Sequence, residues 1–237
     1  MITPLPINET KRLEALRRYE ILDTPAEQVF DDIALLASTI CQTPIALLTL
    51  VDTDRQWFKA RVGIDATETP REHAFCAHTI LGTEVMIVED ATHDERFANS
   101  PFVTGEPNIR FYAGAPLIDG EGNELGSLCV IDSHPRSLSR EQNDSLQALA
   151  RQVISQLELR RTSAELAAAL TDIKTLQGLL PICAHCKEVR DDSGFWQSVE
   201  SYVMANSDTN FSHGICPACM KLHFPAAYEK LHTEGKV

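Results

Sequence analysis

The amino-acid sequence predicts an α+β protein: an antiparallel sheet with flanking helices, followed by a long helix and a small zinc-ribbon-like C-terminal module. Three observations lead to this prediction. Short runs rich in β-branched and aromatic residues occur in pairs around turn sequences, at 45–63 and 109–132. Residues 139–180 contain no proline, as a long helix requires. Two Cys-x-x-Cys pairs lie within 181–237. We therefore divide the chain into a core domain at 1–138, a long helix at 139–180 and a small module at 181–237.

Two helices are expected before the first strand. Asn8 and Thr10 can cap a helix that runs to Glu20, and Pro25 ends this segment because the residue before a proline is disfavoured in helical geometry. Between residues 27 and 40, apolar residues recur with the 3.6-residue period of an amphipathic helix. These residues are Phe30, Ile33, Ala34, Ala37 and Ile40.

Two hairpins and one further strand are expected to form the sheet. Residues 45–52 and 56–63 make the first hairpin, and residues 109–119 and 124–132 make the second around the turn sequence GEGN. Residues 84–90 form the additional strand. The stretch GEGNELG is not a dinucleotide-binding motif, because its glycine spacing differs and it joins two strands instead of a strand and a helix.

Residues 139–180 are expected to form one long helix. Ser139 and Gln142 fit a capping box at its start. Leucine, valine and isoleucine recur at three- and four-residue spacing in both halves, with a break in phase near 157–162. Because such a helix extends about 60 Å, its distal half cannot pack on its own domain and requires a partner. A homodimer through 139–180 is favoured, in parallel orientation, and a helix folded back on its own domain is the alternative.

The two Cys-x-x-Cys pairs are predicted to bind one structural zinc ion. They are Cys183 with Cys186, and Cys216 with Cys219. A two-residue spacer lets a tight turn direct both sulfurs at one point, and two such turns supply the four thiolates of a closed tetrahedral zinc site. His213 or His185 could replace one cysteine as a ligand, and thiol redox chemistry or an iron–sulfur cluster are further alternatives. The module has few large apolar residues, which also favours a metal staple.

The composition argues against several classes of function. With 34 acidic against 21 basic residues the formal net charge is -13, which disfavours nucleic-acid binding because phosphates must be met by lysine and arginine. The same charge disfavours docking on an anionic membrane. No segment has the roughly 18–20 apolar residues of a bilayer-spanning helix, and the first residues lack the pattern of a secretion signal. We therefore expect a cytoplasmic protein, in which closely spaced cysteines favour metal or redox chemistry over disulfides.

Several stretches between residues 9 and 161 resemble GAF domains, ligand-sensing relatives of the PAS fold. They are ILDTP before the second helix, AFCAHTIL, VEDATHDERFANSPFVTG, IRFYAGAPL, and GSLCVID followed by a long helix. The resemblance implies an antiparallel sheet with helices on one face and a ligand pocket on the other face under the loops. FCAHTI and RFYAGAPL are most similar to GAF domains of bacterial sensor kinases and diguanylate cyclases. The patterns of bilin-binding and cyclic-nucleotide-binding GAF domains are not found, so the resemblance does not identify the ligand.

The implied pocket includes the long loop 90–108, whose proline, glycine and asparagine content is typical of a lid over a site. The candidate pocket residues are Phe75, Cys76, His78, Asp90, Arg96, Phe97, Arg110 and Tyr112. Several of these also have a structural interpretation, because Phe75 and Phe97 can belong to the core, Asp90 can cap the loop and Arg96 can pair with a neighbouring acid. Cys41 and Cys129 are interpreted as small buried core residues.

These observations lead us to expect a cytoplasmic bacterial signal-transduction protein. Its GAF sensor or scaffold would bind an unidentified small ligand and pass a signal through the helical dimer to a downstream signalling protein. No Ser/His/Asp set, catalytic carboxylate pair or phosphate loop is visible, so we expect that the chain is not an enzyme. The alternative is a thiol redox enzyme or switch that uses Cys76 or one Cys-x-x-Cys pair.

Overall fold

The computed structural model describes residues 5–177, 180–191, 193–206 and 210–233. The chain forms two compact units, Met1–Ala168 and Ala169–Val237. None of the helices in the described ranges combines the length and the apolar character that crossing a bilayer requires.

The helices and strands up to Gln177 agree with most of the predicted segments. The helices are α1 (Glu9–Arg18), α2 (Gln28–Cys41), α3 (Cys76–Thr79), α4 (Pro101–Thr104) and α5 (Arg140–Gln177), with a 3₁₀ turn at Arg71–His73 before α3. The strands are β1 (Ile45–Val51), β2 (Arg55–Val62), β3 (Glu68–Pro70), β4 (Met86–Val88), β5 (Phe111–Ile118) and β6 (Glu124–Asp132).

The six strands form one antiparallel sheet in the order β3-β2-β1-β6-β5-β4. Both predicted hairpins are present, as β1–β2 and β5–β6, and the strand predicted near 84–90 is present as β4. β3 was not predicted, because three residues that end at Pro70 are too few to show the alternation of a strand. The predicted α+β class, with an antiparallel sheet and flanking helices, is confirmed.

The sheet has two buried faces, because side chains of β1, β5 and β6 point alternately to opposite sides. Leu48, Val130 and Phe111 pack with α1, α2 and α5 on what we term the helical face. Leu47 and Tyr112 pack with α3, α4 and the loop segments on what we term the cavity face. The same three strands therefore form the floor of both layers.

The first half of α5 is fixed to the helical face. The predicted capping box is present, with the Ser139 amide donating to Gln142 Oε1 at 3.0 Å and the Gln142 amide donating to Ser139 Oγ at 3.2 Å. Gln142 Nε2 also donates to the carbonyl of Ile40 at the end of α2, at 3.0 Å. The buried residues of α5 are Leu146, Ala150, Val153 and Leu157. This half of the helix cannot move without disturbing the layer beneath it.

The distal half of α5 behaves differently from the first half. Leu166 and Leu170 are 60% and 51% exposed, so the apolar repeat of this half lacks the burial of the first half. The homodimer through 139–180 stays a prediction. Ile173 and Leu176, which continue the apolar repeat in the sequence, lie outside the residues whose side chains are described.

One local prediction differs from the structure, because Asn8 precedes α1 but its side chain makes no capping hydrogen bond. The loop 90–108 contains a helix that was not predicted. This helix is α4, where Ser100 Oγ accepts a hydrogen bond from the Phe102 amide.

The second unit contains short elements and almost no core. They are β7 (Val189–Arg190), β8 (Trp196–Gln197), α6 (Val199–Asn206), α7 (Pro217–His223) and α8 (Pro225–Thr233). Among its described residues only Val189 is buried, while Phe195 and Leu222 are 72% and 74% exposed. Hydrophobic burial within this unit is therefore too small to account for its folding.

Candidate ligand-binding face of the sheet

The cavity face encloses a small, largely apolar cavity of about 50 Å³. It is lined by Ile45, Leu47, Gln56, Phe58, Ile64, Thr69, Ala74, Phe75, Cys76, Phe102, Pro107, Ile109, Tyr112 and Ile131. Strands β1, β2, β3, β5 and β6 contribute to its walls, together with α3, α4 and the segment that follows α4. A cavity of this size holds a few water molecules or a compact ligand of a few non-hydrogen atoms.

Three aromatic rings fill the space beside this cavity. Phe75 and Phe97 are stacked, with their ring centroids 3.9 Å apart, and Tyr112 lies 5.1 Å from Phe75. Gly114 makes room for the tyrosine, since a Cβ at this position would lie 2.2 Å from Tyr112 Oη. The rings occupy much of the predicted pocket, so a larger ligand would have to displace at least one of them.

Two buried oxygens on the cavity wall lack a hydrogen-bond partner in the described part of the chain. They are Gln56 Oε1 and Thr69 Oγ1, and Gln56 is only 5% exposed. The two residues are direct cross-strand neighbours in the β2–β3 pairing, so their oxygens belong to the same patch of an otherwise apolar wall. A buried polar atom without a partner is costly, and such a pair is suited to accept a donor from a bound molecule.

A cluster of buried hydroxyl and thiol groups lies on the floor beneath the aromatic rings. Tyr112 Oη is 2.7 Å from Thr79 Oγ1 and 3.3 Å from Cys76 Sγ, and Ser127 Oγ lies 3.4 Å from it. Cys76 Sγ and Cys129 Sγ are 3.7 Å apart. Burial raises the pKa of Tyr112 well above its usual value, so its hydroxyl is a hydrogen-bond donor at neutral pH.

Phe75, Cys76 and Tyr112 are the predicted pocket residues that line the cavity, and Phe97 packs behind Phe75. His78 is half-buried, with its ring 4.9 Å from that of Phe97. Burial and the nearby Arg96 lower the pKa of His78, so its imidazole is neutral at pH 7.

The remaining predicted pocket residues make contacts that stabilise the loop. Arg96 pairs with Asp94 at 2.6 Å. Asp90 accepts hydrogen bonds from the amide and the hydroxyl of Thr92, at 3.0 and 2.7 Å. Arg110 Nη1 donates to a backbone carbonyl within α4 at 2.8 Å. These residues hold the loop over the sheet and do not line the central cavity. Their proposed role in ligand binding stays a prediction.

The C-terminal cysteines are arranged as two separate pairs. Cys183 Sγ accepts hydrogen bonds from the backbone amides of Cys186 and its neighbours, and Cys216 Sγ accepts one from the Cys219 amide at 3.5 Å; these bonds lower the pKa of both thiols. Turns of this kind suit thiolate metal ligands. Within the described residues, no three His, Cys, Asp or Glu side chains converge on a metal-sized site, His213 included. The structural zinc ion therefore stays a prediction.

Comparison with known proteins decides the family. The model of the GAF domain family matches residues 25–157. The chain belongs to the GAF domain family. The GAF domain of a phosphoenolpyruvate-protein phosphotransferase from Coxiella burnetii has the same fold, with a TM-score of 0.50 at 16% identity over 67% of this chain and 98% of that one. The corresponding Acinetobacter domain gives a TM-score of 0.46 at 18% identity, with 67% and 98% covered.

A curated relative of this GAF domain protein is a cyclic di-GMP phosphodiesterase of Pseudomonas aeruginosa. It is 45% identical over 161 residues, which are 68% of this chain and 27% of the relative. The prediction that the chain is not an enzyme is contradicted by this comparison, because the relative is named as an enzyme. The prediction was drawn from the lack of catalytic residues in this sequence, and a region can belong to an enzyme without containing its catalytic residues.

Sequence reasoning missed most of the polar groups in and beneath the cavity. Gln56 is the one signal that the sequence offered, as a polar residue within a strand that is otherwise largely buried. Thr69 lies in the strand that was not predicted. Thr49 and Ser127 are fully buried in central strands, and Cys129 was assigned to the apolar core because its neighbours in sequence are apolar.

Proposed function

We propose that this GAF domain senses a small ligand and acts within cyclic di-GMP signalling. The 45% identity to a cyclic di-GMP phosphodiesterase extends over 161 residues, more than the 25–157 match to the family model. That extent supports a shared regulatory role for the region as a whole. It does not identify the ligand, for which the cavity provides the argument.

The cavity favours a compact, mostly apolar ligand that carries a hydrogen-bond donor. The observation that carries this proposal is the pair of unpartnered oxygens, Gln56 Oε1 and Thr69 Oγ1, on a wall otherwise formed by apolar side chains. A ligand N–H or O–H placed between them would remove an unfavourable desolvation, while its apolar body would be buried against the surrounding residues. A ligand with an aromatic ring exceeds the present volume of about 50 Å³, so its entry requires Phe75 and half-buried Phe102, which both line the cavity, to move.

The signal would travel through the shared strands to α5. Ser127 and Cys129 of β6 face the cavity cluster, while Leu128 and Val130 belong to the buried cluster of the helical face that also contains the buried residues of α5. A displacement of β6 on ligand binding would therefore change how α5 packs against the opposite face of the sheet. The exposed distal half of α5 would pass this change to a second copy of the chain, and from there to a downstream signalling protein.

We further propose that a structural zinc ion on Cys183, Cys186, Cys216 and Cys219 stabilises the second unit. The two cysteine turns and the near absence of a core support this proposal. Metal analysis of the purified chain should find a single zinc ion, which Cys216→Ser should remove and Cys41→Ser should leave in place. The proposal would be contradicted if the purified protein contained no zinc and a chelator left the melting temperature of the second unit unchanged.

Phenol and toluene provide a matched test of ligand class, because phenol carries a hydroxyl donor where toluene carries a methyl group. Phenol should raise the melting temperature of the first unit and slow amide hydrogen exchange in the first half of α5. Toluene should do so less. In the Thr69→Val variant the difference between the two probes should shrink, because one of the two acceptors is gone. Equal effects of phenol and toluene on the unchanged chain would contradict the proposed ligand class.

A chimaera tests the signalling role separately. The 161-residue matching region of the Pseudomonas aeruginosa phosphodiesterase is replaced by the corresponding region of this chain, and cyclic di-GMP hydrolysis is followed with and without phenol. A change in hydrolysis with phenol that is weaker in the Thr69→Val chimaera would support the proposal. An active chimaera that binds phenol without any change in hydrolysis would contradict the signalling role and leave the ligand class intact.

A further inference from the structure

Two buried cysteines from distant parts of the sequence meet on the floor of the cavity face. Cys76 is the first residue of α3, and Cys129 lies in the central strand β6. Their side chains are almost completely buried, at 1% and 0% exposure, and their sulfurs are 3.7 Å apart. Disulfide formation requires the sulfurs to approach to about 2.05 Å. Since α3 contains only four residues, a small shift of this helix can bring them together.

The surrounding hydroxyl groups favour the thiolate form of Cys76. Tyr112 Oη donates to Cys76 Sγ at 3.3 Å, and Thr79 Oγ1 lies 2.7 Å behind the tyrosine oxygen, where it can donate in turn. Burial raises the pKa of Cys76, but hydrogen bonds from Cys129, Ser127 and other neighbours outweigh it and lower the pKa to about 7. Cys129 has its pKa raised by the same contact and by burial. The two thiols are therefore chemically unequal.

The cavity gives one of the two thiols access to small molecules. Cys76 is part of the cavity wall, whereas Cys129 is not. With a volume of about 50 Å³, the cavity admits a molecule of the size of hydrogen peroxide as it stands, whereas a bulkier oxidant requires the lining side chains to move. An oxidant that enters would meet Cys76 first, with Cys129 directly behind it.

We propose that Cys76 and Cys129 form an oxidisable dithiol, in which a small hydroperoxide converts the two thiols to a disulfide. The Cys76 thiolate attacks the peroxide oxygen, the O–O bond breaks, and Cys76 becomes a sulfenic acid while the second oxygen leaves as water or an alcohol. Cys129 then attacks the sulfenic sulfur, the S–O bond breaks, and water is released. The two thiols lose two electrons and the hydroperoxide gains them, and the thiol protons end in the released water and alcohol.

The disulfide would link α3 to β6 across the floor of the cavity. It would remove the thiolate that accepts the Tyr112 hydroxyl and hold the start of α3 closer to the sheet. Oxidation would therefore change the same wall that the proposed ligand contacts. The oxidation itself requires no ligand, so its test is independent of the ligand proposal.

Peptide mapping of the full chain tests this inference directly. Trypsin places Cys76 and Cys129 on separate peptides, 72–96 and 111–136, each with a single cysteine. The reduced chain is treated with hydrogen peroxide, its free thiols are alkylated under denaturing conditions, and the digest is analysed without reduction. We expect a linked pair of these two peptides, which disappears on reduction. Cys41, a buried thiol whose pKa is raised by burial, serves as the internal control. It should escape oxidation and therefore be recovered as the alkylated thiol.

Variants separate the two roles. Cys129→Ser, which keeps a hydrogen-bond donor beside Cys76, should lose the linked peptides and leave Cys76 as a sulfenic acid that dimedone traps when it is added with the denaturant. Cys76→Ala should leave Cys129 unmodified. Cys129→Ala repeats the first experiment in case the serine variant fails to fold, which circular dichroism would show. Cumene hydroperoxide should produce the linked peptides more slowly than hydrogen peroxide. The inference is overturned if Cys76 and Cys129 of the peroxide-treated folded chain are both recovered as alkylated, unlinked thiols. It is also overturned if the link forms only after denaturation, or if Cys76 becomes a sulfinic acid without linking.

Discussion

Replacing Thr69 with valine should make the first unit more stable, although it removes a polar group from a natural protein. Thr69 Oγ1 is buried on the cavity wall and has no hydrogen-bond partner in the described part of the chain. Valine has nearly the same shape as threonine and lacks the hydroxyl. The substitution therefore removes the desolvation of the hydroxyl without creating a void.

The size of the effect follows from the cost of an unsatisfied buried group. Leaving such a group without a partner costs about 1–3 kcal/mol, so we expect the free energy of unfolding to rise by about 1 kcal/mol in Thr69→Val. For a unit of this length that corresponds to an increase of about 3 °C in melting temperature.

A matched control uses a threonine whose hydroxyl is paired. Thr79 is 1% exposed and its Oγ1 lies 2.7 Å from Tyr112 Oη. Thr79→Val breaks this hydrogen bond and should lower the free energy of unfolding by about 1 kcal/mol. The same chemical change is thus expected to have opposite signs at the two positions.

Urea unfolding followed by tryptophan fluorescence measures both variants. The chain has two tryptophans; Trp57 is buried in the first unit and Trp196 is 49% exposed in the second. A Trp196→Phe background leaves Trp57 as the only reporter, so the transition belongs to the first unit. If Thr69→Val is destabilised as much as Thr79→Val, the Thr69 hydroxyl has a partner, and our argument for a ligand donor at this position is refuted.

Three further predictions concern the packing and charges of the first unit. Gly114→Ala places a Cβ 2.2 Å from Tyr112 Oη and should lower the free energy of unfolding by about 3 kcal/mol. The control Gly82→Ala, whose added Cβ has no atom within 4 Å, should change it by less than about 0.5 kcal/mol. Equal effects of the two substitutions would contradict the packing around Tyr112. Burial raises the pKa of Glu9, but two arginine side chains lower it from 4.5 to about 2. The ionised Glu9 carboxylate therefore stabilises the folded state fully above pH 4.5, and this stabilisation is lost as the pH falls toward 2. In urea titrations, the free energy of unfolding of Glu9→Gln should accordingly decrease less over this pH range than that of the unchanged chain. Ser139→Ala removes a capping hydrogen bond and should lower the free energy of unfolding by about 1 kcal/mol in the same assay. An unchanged free energy would contradict the role of this cap.

The sequence was most informative where a repeating pattern sets the structure. The hairpin strands were located because β-rich runs flank recognisable turns, and the start of α5 because Ser139 and Gln142 form a capping box. β3 and α4 were missed because elements of three and four residues are too short for a period to appear. Such elements form where the surrounding sheet supplies the hydrogen bonds and contacts, which local sequence does not reveal.

The polar features of the cavity depend on pairings between distant residues. Gln56 and Thr69 become neighbours only through the register of β2 with β3. Cys76 and Cys129 meet because α3 packs over β6, and their separation of 53 positions leaves no local signal. The sequence around Cys129 is apolar, so a buried core role was the natural interpretation. Only the fold shows that this thiol faces a second thiol.

The alternation of side chains along β6 limits how this protein can change during evolution. One residue inserted into the strand would turn Cys129 and Ser127 toward α5, and would turn Leu128 and Val130 toward the cavity. Both layers would lose their fit at once. New ligand preferences should therefore arise by replacing individual residues within the strands, whereas gains and losses of residues should be tolerated mainly in exposed connections such as 65–67 and 133–135.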